Sequence, residues 1–422
     1  MLRAPSLPLS VGLVARRISS SRFGLLDELI AALRYRQGVD LDDDAPPTPA
    51  GPPAAPARGP ARQAGLRSQN LAVVVEQVAH AGTISRADVA LRTGLTRATV
   101  SSLVELLVAA RVLEWAPAPA AGGVGRPAAP IRLAAGTLAG LGLEIGANHL
   151  SAAVVDLRGE TLAFREVRGD FAAPEPADAL ASVAALGRTT LAAARAAHPD
   201  LRLLGTTMAV PGIVRGDVVL DAPRLGWLDV EAASALTGIE PDAAVALGNE
   251  ASLAALAESH ARPGRTFLYL SGGVGVGGAH VVDGVVQGGM HGFAAELGHV
   301  VVDPAGPDCR CGATGCLEQY AGAQALARLA PDEVGRAVGI ALASAVNVVD
   351  VGTVVLGGTL GGELLPRLLP ALTTELATRV LAYPWASVAV EPAEISDLPG
   401  LRGAALAPVL AALGDPERVL PG

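Results

Sequence analysis

All three cysteines of the 422-residue chain fall within eight residues, at Cys309, Cys311 and Cys316, and His299 lies shortly before them. An odd, tightly clustered set without distant partners does not fit a disulfide framework and indicates a reducing compartment. One imidazole and three thiolates at short spacing form the closed tetrahedral ligand set typical of structural zinc. The alternative, a group of buried free thiols, does not explain why every cysteine lies near a histidine. The sequence therefore predicts a zinc loop over residues 299–318.

The composition points to an α/β protein with large hydrophobic cores. Half of the residues are apolar, 50 are glycines and only 3% are aromatic. A chain of this length predicts two or three folded units, and abundant glycine suits the tight turns between strands and helices. The longest apolar stretch, residues 337–349, is too short to cross a bilayer. Together with the reduced cysteines, this predicts a cytoplasmic protein.

The charge is distributed unevenly along the chain. Residues 66–135 hold 7 arginines against 4 acidic residues, whereas residues 136–422 hold 17 against 31. A basic segment beside an acidic region is expected when only one part of a chain approaches nucleic acid. Residues 40–65 are acidic and then rich in proline and alanine, without apolar periodicity. We therefore expect residues 1–67 to form a disordered amino-terminal extension.

Residues 68–134 show the pattern of a winged helix-turn-helix DNA-binding domain. The second of three helical patterns starts at the N-cap Ser85 and ends at Gly94, and the third starts at Thr96. A glycine-rich loop before a short strand predicts the wing, whose Arg126 would enter a narrow minor groove. The side chains expected to contact DNA are Arg86, Thr96, Arg97, Thr99, Ser101, Ser102 and Arg126. The alternative is a bundle of helices that docks another protein.

Residues 135–422 alternate strands and helices, and two lobes of similar make-up are expected although internal repetition is weak. Period-two and continuous apolar patterns predict strands at 139–145, 151–156, 203–209, 244–247, 266–270, 279–282, 353–356 and 387–391. Helical patterns lie at 177–197, 250–260, 322–329, 333–349, 362–382 and 403–413.

The cysteine run and the sequence around it closely resemble the repressor–ORF–kinase (ROK) family. The resemblance extends over residues 68–422 and rests on segments 84–86, 94–96, 125–127, 209–212, 226–227, 249–251, 271–278, 299–320, 355–358 and 402–405. It implies an α/β fold of two ribonuclease-H-like lobes in an actin-like arrangement. A winged helix-turn-helix domain of the all-α class would precede this sugar-sensing domain, and sugar would bind in the cleft between the lobes.

By this resemblance the sugar pocket is lined by Asn249, Glu250, Glu296, His299 and Glu318. Carboxylates and an amide supply the directional acceptors and donors that sugar hydroxyls require, and zinc would fix the loop that carries two of the glutamates. Taken singly, each glutamate is as well explained as a solvated helix residue. The zinc loop beside them favours the pocket.

The sequence departs from the family kinases at three positions related to ATP. Their Asp-x-Gly-Gly-Thr-Lys phosphate turn is Glu-Ile-Gly-Ala-Asn-His at residues 144–149, and residues 271–275 lack the threonine of the second phosphate loop. Glu250 replaces the catalytic aspartate, and its extra methylene displaces the carboxylate by roughly an ångström, a shift that costs on the order of a hundredfold in rate. We therefore expect neither ATP and magnesium as cofactors nor kinase activity.

The leading hypothesis is a sugar-responsive transcriptional regulator of carbohydrate genes, acting as a repressor. Its partners would be operator DNA, a sugar or sugar-derivative effector, and further copies of the chain in a homodimer or homotetramer. The alternative is an ATP-dependent sugar kinase that uses Glu250 as its base. A third hypothesis, a zinc-stapled scaffold with a docking bundle, predicts no affinity for DNA.

Overall fold

A computed structural model describes residues 63–117, 129–171 and 175–420 of the chain. Residues 1–62 of the expected extension lie outside the described ranges, and so does the wing tip with Arg126. None of the helices in the described ranges is both long and apolar enough to span a membrane.

The amino-terminal module consists of three helices and a two-stranded antiparallel sheet. Its elements are α1 (Gln63–Ala81), α2 (Arg86–Thr93), α3 (Arg97–Ala109), β1 (Leu113–Trp115) and β2 (Ile131–Leu133). Helix α1 begins at Gln63, so the expectation that residues 63–67 belong to a disordered extension is wrong. Its residues from Gly65 to Asn70 are not buried, and the first buried one is Leu71, so the start of the helix carries no apolar pattern. The two strands run into and out of the predicted wing loop.

The ends of α2 and α3 are set by local sequence chemistry. Ser85 Oγ accepts a hydrogen bond of 3.1 Å from the Asp88 backbone N–H, and Thr96 Oγ1 accepts an equivalent bond from Thr99. Gly94 ends α2 with φ of 72°, a left-handed conformation that glycine adopts without steric cost. These caps confirm the predicted boundaries of the helix-turn-helix.

The first lobe contains a five-stranded sheet in the order β10-β6-β3-β4-β5, in which β3 to β5 are antiparallel and β6 and β10 continue parallel to β3. Its elements are β3 (Leu138–Ile145), β4 (His149–Asp156), β5 (Thr161–Arg168), α4 (Pro176–Ala197), β6 (Arg202–Val210), β7 (Ile213–Arg215), β8 (Val218–Ala222), β9 (Trp227–Glu231), β10 (Ala244–Asn249) and α5 (Glu250–Ala261). Strands β7 to β9 form a separate antiparallel meander. Neither β5 nor the meander was expected from the sequence, since no side chain of β5 is buried and the meander strands are only three to five residues long.

The second lobe repeats this strand order as β13-β12-β11-β14-β15, with three antiparallel strands followed by two parallel ones. Its elements are β11 (Phe267–Gly272), β12 (Val276–Val282), β13 (Val285–Val286), α6 (Glu318–Ala321), α7 (Ala323–Leu326), α8 (Pro331–Val349), β14 (Thr353–Gly357), α9 (Gly358–Gly361), α10 (Leu365–Arg379), β15 (Ala389–Pro392) and α11 (Pro399–Gly414). The expected helix at 322–329 is wrong as a continuous element, because it is only the short α7, separated from α6 at Gly322. The two lobes confirm the predicted α/β architecture.

Helices α5 and α11 lie between the two sheets. Helix α11 packs on β3, β4 and β6 of the first lobe, and α5 packs on α11 and on β12 of the second lobe. Small residues permit this close approach: a Cβ on Gly403 would lie 1.7 Å from the Leu253 carbonyl oxygen, and one on Gly140 would lie 2.1 Å from that of Ala405. The glycine and alanine residues at 402–405 are thus explained by helix packing.

The amino-terminal module and the first lobe share one hydrophobic cluster. Its buried residues come from α1, α2, α3, β1 and β2, and they continue into Leu138, Leu157, Val409 and Ala412. Polar contacts follow the same boundary, since Arg158 Nη2 lies 2.7 Å from a carboxylate oxygen of Glu114. Helix α11 therefore contributes its second half to the core of the predicted DNA-binding module.

Candidate functional site

The four predicted zinc ligands converge in space. One ligand atom from each of His299, Cys309, Cys311 and Cys316 lies within 4.8 Å of all the others. The Sγ atoms of Cys311 and Cys316 are 3.6 Å apart, and Cys309 Sγ lies 3.8 Å from His299 Nδ1. A tetrahedron with zinc–ligand bonds of about 2.1–2.3 Å has edges of roughly 3.6–3.8 Å. The donor set and its spacing therefore fit a structural zinc ion.

Backbone pairing within the loop brings the ligands together. Isolated β-bridges join Val301 to Cys316 and Asp308 to Thr314. The Cys309 N–H donates to the Ala313 carbonyl oxygen at 2.8 Å. The chain reverses between these pairs, so the cysteine side chains point to a common centre.

Two glycines in the loop offer a matched test of its geometry. Both have positive φ, 90° at Gly312 and 73° at Gly315, but a Cβ on Gly315 would lie 1.6 Å from the Asp303 carbonyl oxygen, whereas one on Gly312 would meet nothing within 4 Å. We expect Gly315→Ala to lower the free energy of unfolding by about 3 kcal/mol, since it adds a backbone clash to the left-handed strain. Gly312→Ala carries only the strain, about 1–2 kcal/mol. Denaturant unfolding of both variants measures the difference; equal losses would contradict the clash.

The carboxyl ends of the parallel strands open onto the cleft between the lobes, as is usual for ligand sites in α/β proteins. Glu250 directly follows β10 at this edge of the sheet, and its side chain is exposed to solvent. Desolvation and the neighbouring Glu144 carboxylate raise the pKa of Glu250 to about 7, although Arg224 and His149 act in the opposite direction. Near neutral pH this group is therefore able both to accept and to donate hydrogen bonds.

Asn249 is engaged in holding the backbone. Its Oδ1 caps α5 by accepting hydrogen bonds from the N–H groups of Ala251 and Ser252, and its Nδ2 donates to the Gly212 carbonyl oxygen at 2.9 Å. The amide thereby fixes the start of α5 and the direction of Glu250. This arrangement gives the predicted sugar-binding Asn249 a structural role within the same site.

Glu318 faces the cleft from the second lobe. Its Oε2 accepts a hydrogen bond of 3.1 Å from the Val276 N–H and lies 3.4 Å from Arg224 Nη2. Because Glu318 starts α6 two residues after the last cysteine, a metal ion held by the loop would also fix its backbone.

Glu296 precedes the turn that contains His299. The residue before it, Ala295, has φ of 64°, an unusual backbone conformation for a residue with a side chain. Desolvation raises the pKa of Glu296, and the Glu318 carboxylate adds to this effect, while His299 opposes it. The Glu318 carboxylate thus acts on both Glu250 and Glu296, as expected for residues of one pocket.

The turn at 144–149 is filled by the chain's own side chains. His149 Nε2 lies 2.9 Å from a Glu144 carboxylate oxygen, and its ring covers Gly146, where a Cβ would lie 2.4 Å from His149 Cε1. The hydrogen bond to Glu144 raises the pKa of His149. The second Glu144 oxygen is buried without a hydrogen-bond partner among the described residues. The turn is thus occupied by an imidazole and a carboxylate.

Six of the seven predicted DNA-contacting residues lie in the described ranges, and their side chains are placed in three ways. Arg97 and Ser102 are exposed on α3, and Ser101 is half-buried. The hydroxyls of Thr96 and Thr99 bond each other at 2.9 Å at the start of α3, where they serve the helix cap. Arg86 packs its guanidinium 5.1 Å from the centre of the Trp115 ring, which directs it towards the strand leading into the wing.

Sequence reasoning missed Arg224 and the pairing of Glu144 with His149. Arg224 lies two residues before the segment 226–227 that carried part of the family resemblance, and this proximity is a signal that could have found it. No sequence signal places Arg224 opposite Glu318, 94 positions further along the chain.

The chain is similar in sequence to regulators and to sugar kinases. The xylose repressor of Bacillus spizizenii (strain ATCC 23059 / NRRL B-14472 / W23) is 27% identical over 274 residues, which are 63% of this chain and 69% of the repressor. The glucokinase of Halalkalibacterium halodurans is 36% identical over 138 residues, 31% of this chain and 42% of the kinase. Both a regulator and an enzyme are therefore among the relatives.

A solved structure shares the fold over more than the two lobes. It is a ROK family transcriptional regulator, a homologue of the E. coli MLC protein, with a TM-score of 0.70 at 22% identity. The match covers 85% of this chain and 100% of the regulator, so it includes part of the amino-terminal module. The model of the ROK family itself matches residues 140–334 and 327–408. These matches take in more than half of the chain, which therefore belongs to the ROK family.

Proposed function

We propose that the protein is a sugar-responsive transcriptional repressor. The observation that carries this proposal is the position of helix α11. At its amino-terminal end, a Cβ on Gly400 would lie 3.0 Å from a Glu144 oxygen and 3.4 Å from the Glu250 carbonyl oxygen. At the other end, Val409 and Ala412 lie in the hydrophobic cluster of the DNA-binding module. A single helix therefore contacts both the sugar cleft and the module.

This arrangement supplies a physical route for regulation. A 16-residue helix is about 24 Å long. Sugar binding that closes the second lobe on the first would press α5 against α11, and α11 would carry the displacement into the helix-turn-helix. The sugar can shift the DNA-binding state only by its differential affinity for the two lobe arrangements. The shared core makes such a displacement difficult to absorb locally, because packed interiors are not freely deformable.

The effector that we propose is a sugar whose hydroxyls reach Glu250, Glu296 and Glu318. These three carboxylates offer acceptors on both sides of the cleft, and zinc would fix the loop that bears two of them. The related repressor is named for xylose and the related kinase for glucose. Because His299 Nδ1 points to the cysteine sulfurs, we assign this residue to the metal, with an indirect role in the sugar pocket.

We infer that the protein does not phosphorylate its sugar. The Glu144–His149 pair occupies the first phosphate turn, and residues 271–275 lack the threonine of the second phosphate loop. The alternative, a sugar kinase with Glu250 as its base, is favoured by the relatives that are kinases and by the pKa of about 7 at Glu250. This pKa suits a general base near neutral pH, so the assay must test for activity directly.

Two measurements on the full chain test the proposed function. Thermal unfolding with D-xylose, D-glucose and N-acetyl-D-mannosamine should show stabilisation by at least one sugar, since a ligand of the native state stabilises by mass action. An assay that couples ADP formation to NADH oxidation should show no turnover with any of the three. Turnover that is lost in Glu250→Gln would establish the kinase instead.

Operator binding is expected to require a dimer and an inverted repeat, because one helix-turn-helix reads only a few base pairs. Within such a complex, Arg126→Ala should weaken binding most where the groove beneath the wing is rich in A·T, by about 1–3 kcal/mol. Arg97→Ala should weaken all operators similarly if Arg97 contacts phosphate. Gel-shift titrations on matched A·T-rich and G·C-rich operators distinguish the two, and a uniform loss for Arg126→Ala would refute minor-groove reading.

A further inference from the structure

An ion pair crosses the cleft between the two lobes. Arg224 lies between β8 and β9 of the first lobe, and Glu318 starts α6 of the second. Their side chains are 26% and 23% exposed, so the pair lies inside the cleft and not at its rim. The guanidinium rests on the glycine-rich turn, where a Cβ on Gly275 would lie 2.4 Å from Arg224 Nη2 and 2.6 Å from Glu318 Oε2.

Glu318 uses one of its two oxygens for these contacts. The Val276 N–H and the Arg224 guanidinium both approach Oε2, and within the described ranges Oε1 has no hydrogen-bond partner. Because the Val276 N–H and the Arg224 guanidinium hold Oε2 from two directions, the orientation of Oε1 is fixed as well. Charge-assisted contacts of this kind combine strength with directionality.

We propose that Arg224 is a positioning and specificity-determining residue, which holds Glu318 so that Oε1 meets a hydroxyl of a neutral sugar. This inference rests on the proposed sugar-binding function. It also names the ligand class. Both cationic groups that act on Glu250, Arg224 and His149, are already paired with carboxylates in the structure. A sugar phosphate entering the cleft would meet Glu250 and Glu296 without gaining an unpaired cation, and this arrangement selects against it.

The same guanidinium acts on Glu250. The charged and titratable groups that face this carboxyl from the surrounding elements are Glu144, His149, Arg224, Glu318 and Tyr269. Arg224 lowers the pKa of Glu250, so its removal raises that pKa further above the ordinary carboxyl value. A larger share of the Glu250 carboxyl groups is then protonated at neutral pH and no longer accepts a hydrogen bond through that oxygen. As the pH rises, the carboxyl group ionises and becomes an acceptor again.

Calorimetric titration of the full chain with D-xylose, D-glucose and N-acetyl-D-mannosamine tests the proposal. Arg224→Ala should weaken binding about tenfold near pH 7, the size expected for a lost charge-assisted contact. The loss should be smaller at about pH 8.5, where Glu250 regains its charge. Arg224→Lys should restore most of the affinity because it keeps the positive charge. The matched control, Arg215→Ala in the same meander, removes an exposed arginine and should bind like the wild type.

Unchanged affinity in Arg224→Ala would overturn the proposal. So would an equal loss at both pH values without any recovery in Arg224→Lys, since that result indicates a purely structural role. Xylose 5-phosphate and glucose 6-phosphate serve as further probes, and binding of either as tight as that of its parent sugar would overturn the selection for neutral sugars.

A second measurement needs no sugar. Hydrogen exchange at the Val276 amide should be several-fold faster in Arg224→Ala than in Arg215→Ala, because the carboxylate that covers this N–H loses one of its two anchors. An unchanged exchange rate would refute the positioning of Glu318. If the wild-type protein binds none of the three sugars, the proposed effector class fails, while the exchange rate still decides the role of Arg224.

Discussion

Cys311→Ser is expected to purify without zinc and to lose the sugar site with it. The three remaining ligands, His299, Cys309 and Cys316, cannot complete a closed tetrahedral set, and the bridges of the loop would no longer be tied together. Loss of a structural metal belongs to the class of changes that cost about 4–5 kcal/mol or more of stability. The second lobe should therefore unfold at a clearly lower denaturant concentration.

The loss of sugar affinity should be at least about 100-fold, because Glu296 and Glu318 flank the loop and each supplies a charged acceptor. Elemental analysis, denaturant unfolding and calorimetry measure the three consequences. The control is Arg310→Ala, which changes an exposed residue between two ligands and should retain one zinc per chain. Wild-type protein that contains no zinc after purification in metal-supplemented buffer would refute the site.

Glu296→Ala is expected to abolish the response to sugar while leaving operator binding intact. Glu296 lies in the second lobe near Glu318 and is not part of the hydrophobic cluster that the DNA-binding module shares with α11. In the wild type, sugar should change operator affinity about 5- to 150-fold, which corresponds to a typical coupling free energy of about 1–3 kcal/mol. The variant should show a ratio near one.

Thermodynamic reciprocity provides the check on this mechanism. If sugar changes operator affinity by a given factor, operator DNA must change sugar affinity by the same factor. Calorimetric titration of sugar with and without operator measures this directly in the wild type. Equal sugar affinities in both titrations would show that the two sites are uncoupled, and the repressor mechanism would then be wrong. A parallel loss of DNA binding in Glu296→Ala would point instead to misfolding.

Helix α11 is the element on which the coupling between the sugar site and the DNA-binding module depends. Val409 is fully buried among residues of the module, whereas Gly400 borders the sugar cleft at the opposite end. The coupling proposed for Glu296 depends on this continuity. It therefore depends on a feature that the sequence did not reveal, since the apolar pattern of α11 is equally satisfied by packing on the first-lobe sheet alone.

Local chemistry determined the parts of this protein that could be predicted from its sequence. Ser85, Gly94 and Thr96 act within one or two turns of their own position, so their caps follow from residue type. The ligand set of His299 and the cysteines is also local, because short loops bring closely spaced residues together. Strands such as β3 and β11 were predictable since they are buried on both faces and read as continuous apolar runs.

Only the tertiary structure decided how distant segments meet. The second lobe repeats the strand order of the first, yet sequence similarity does not reveal it, because a strand needs an apolar pattern and not a particular sequence. The pairing of Arg224 with Glu318 and the covering of Gly146 by His149 depend on side chains whose direction is set by packing. The sequence therefore predicted which residues belong to the cleft. Their interaction partners, and the shared core that joins the cleft to the DNA-binding module, are set by the tertiary structure.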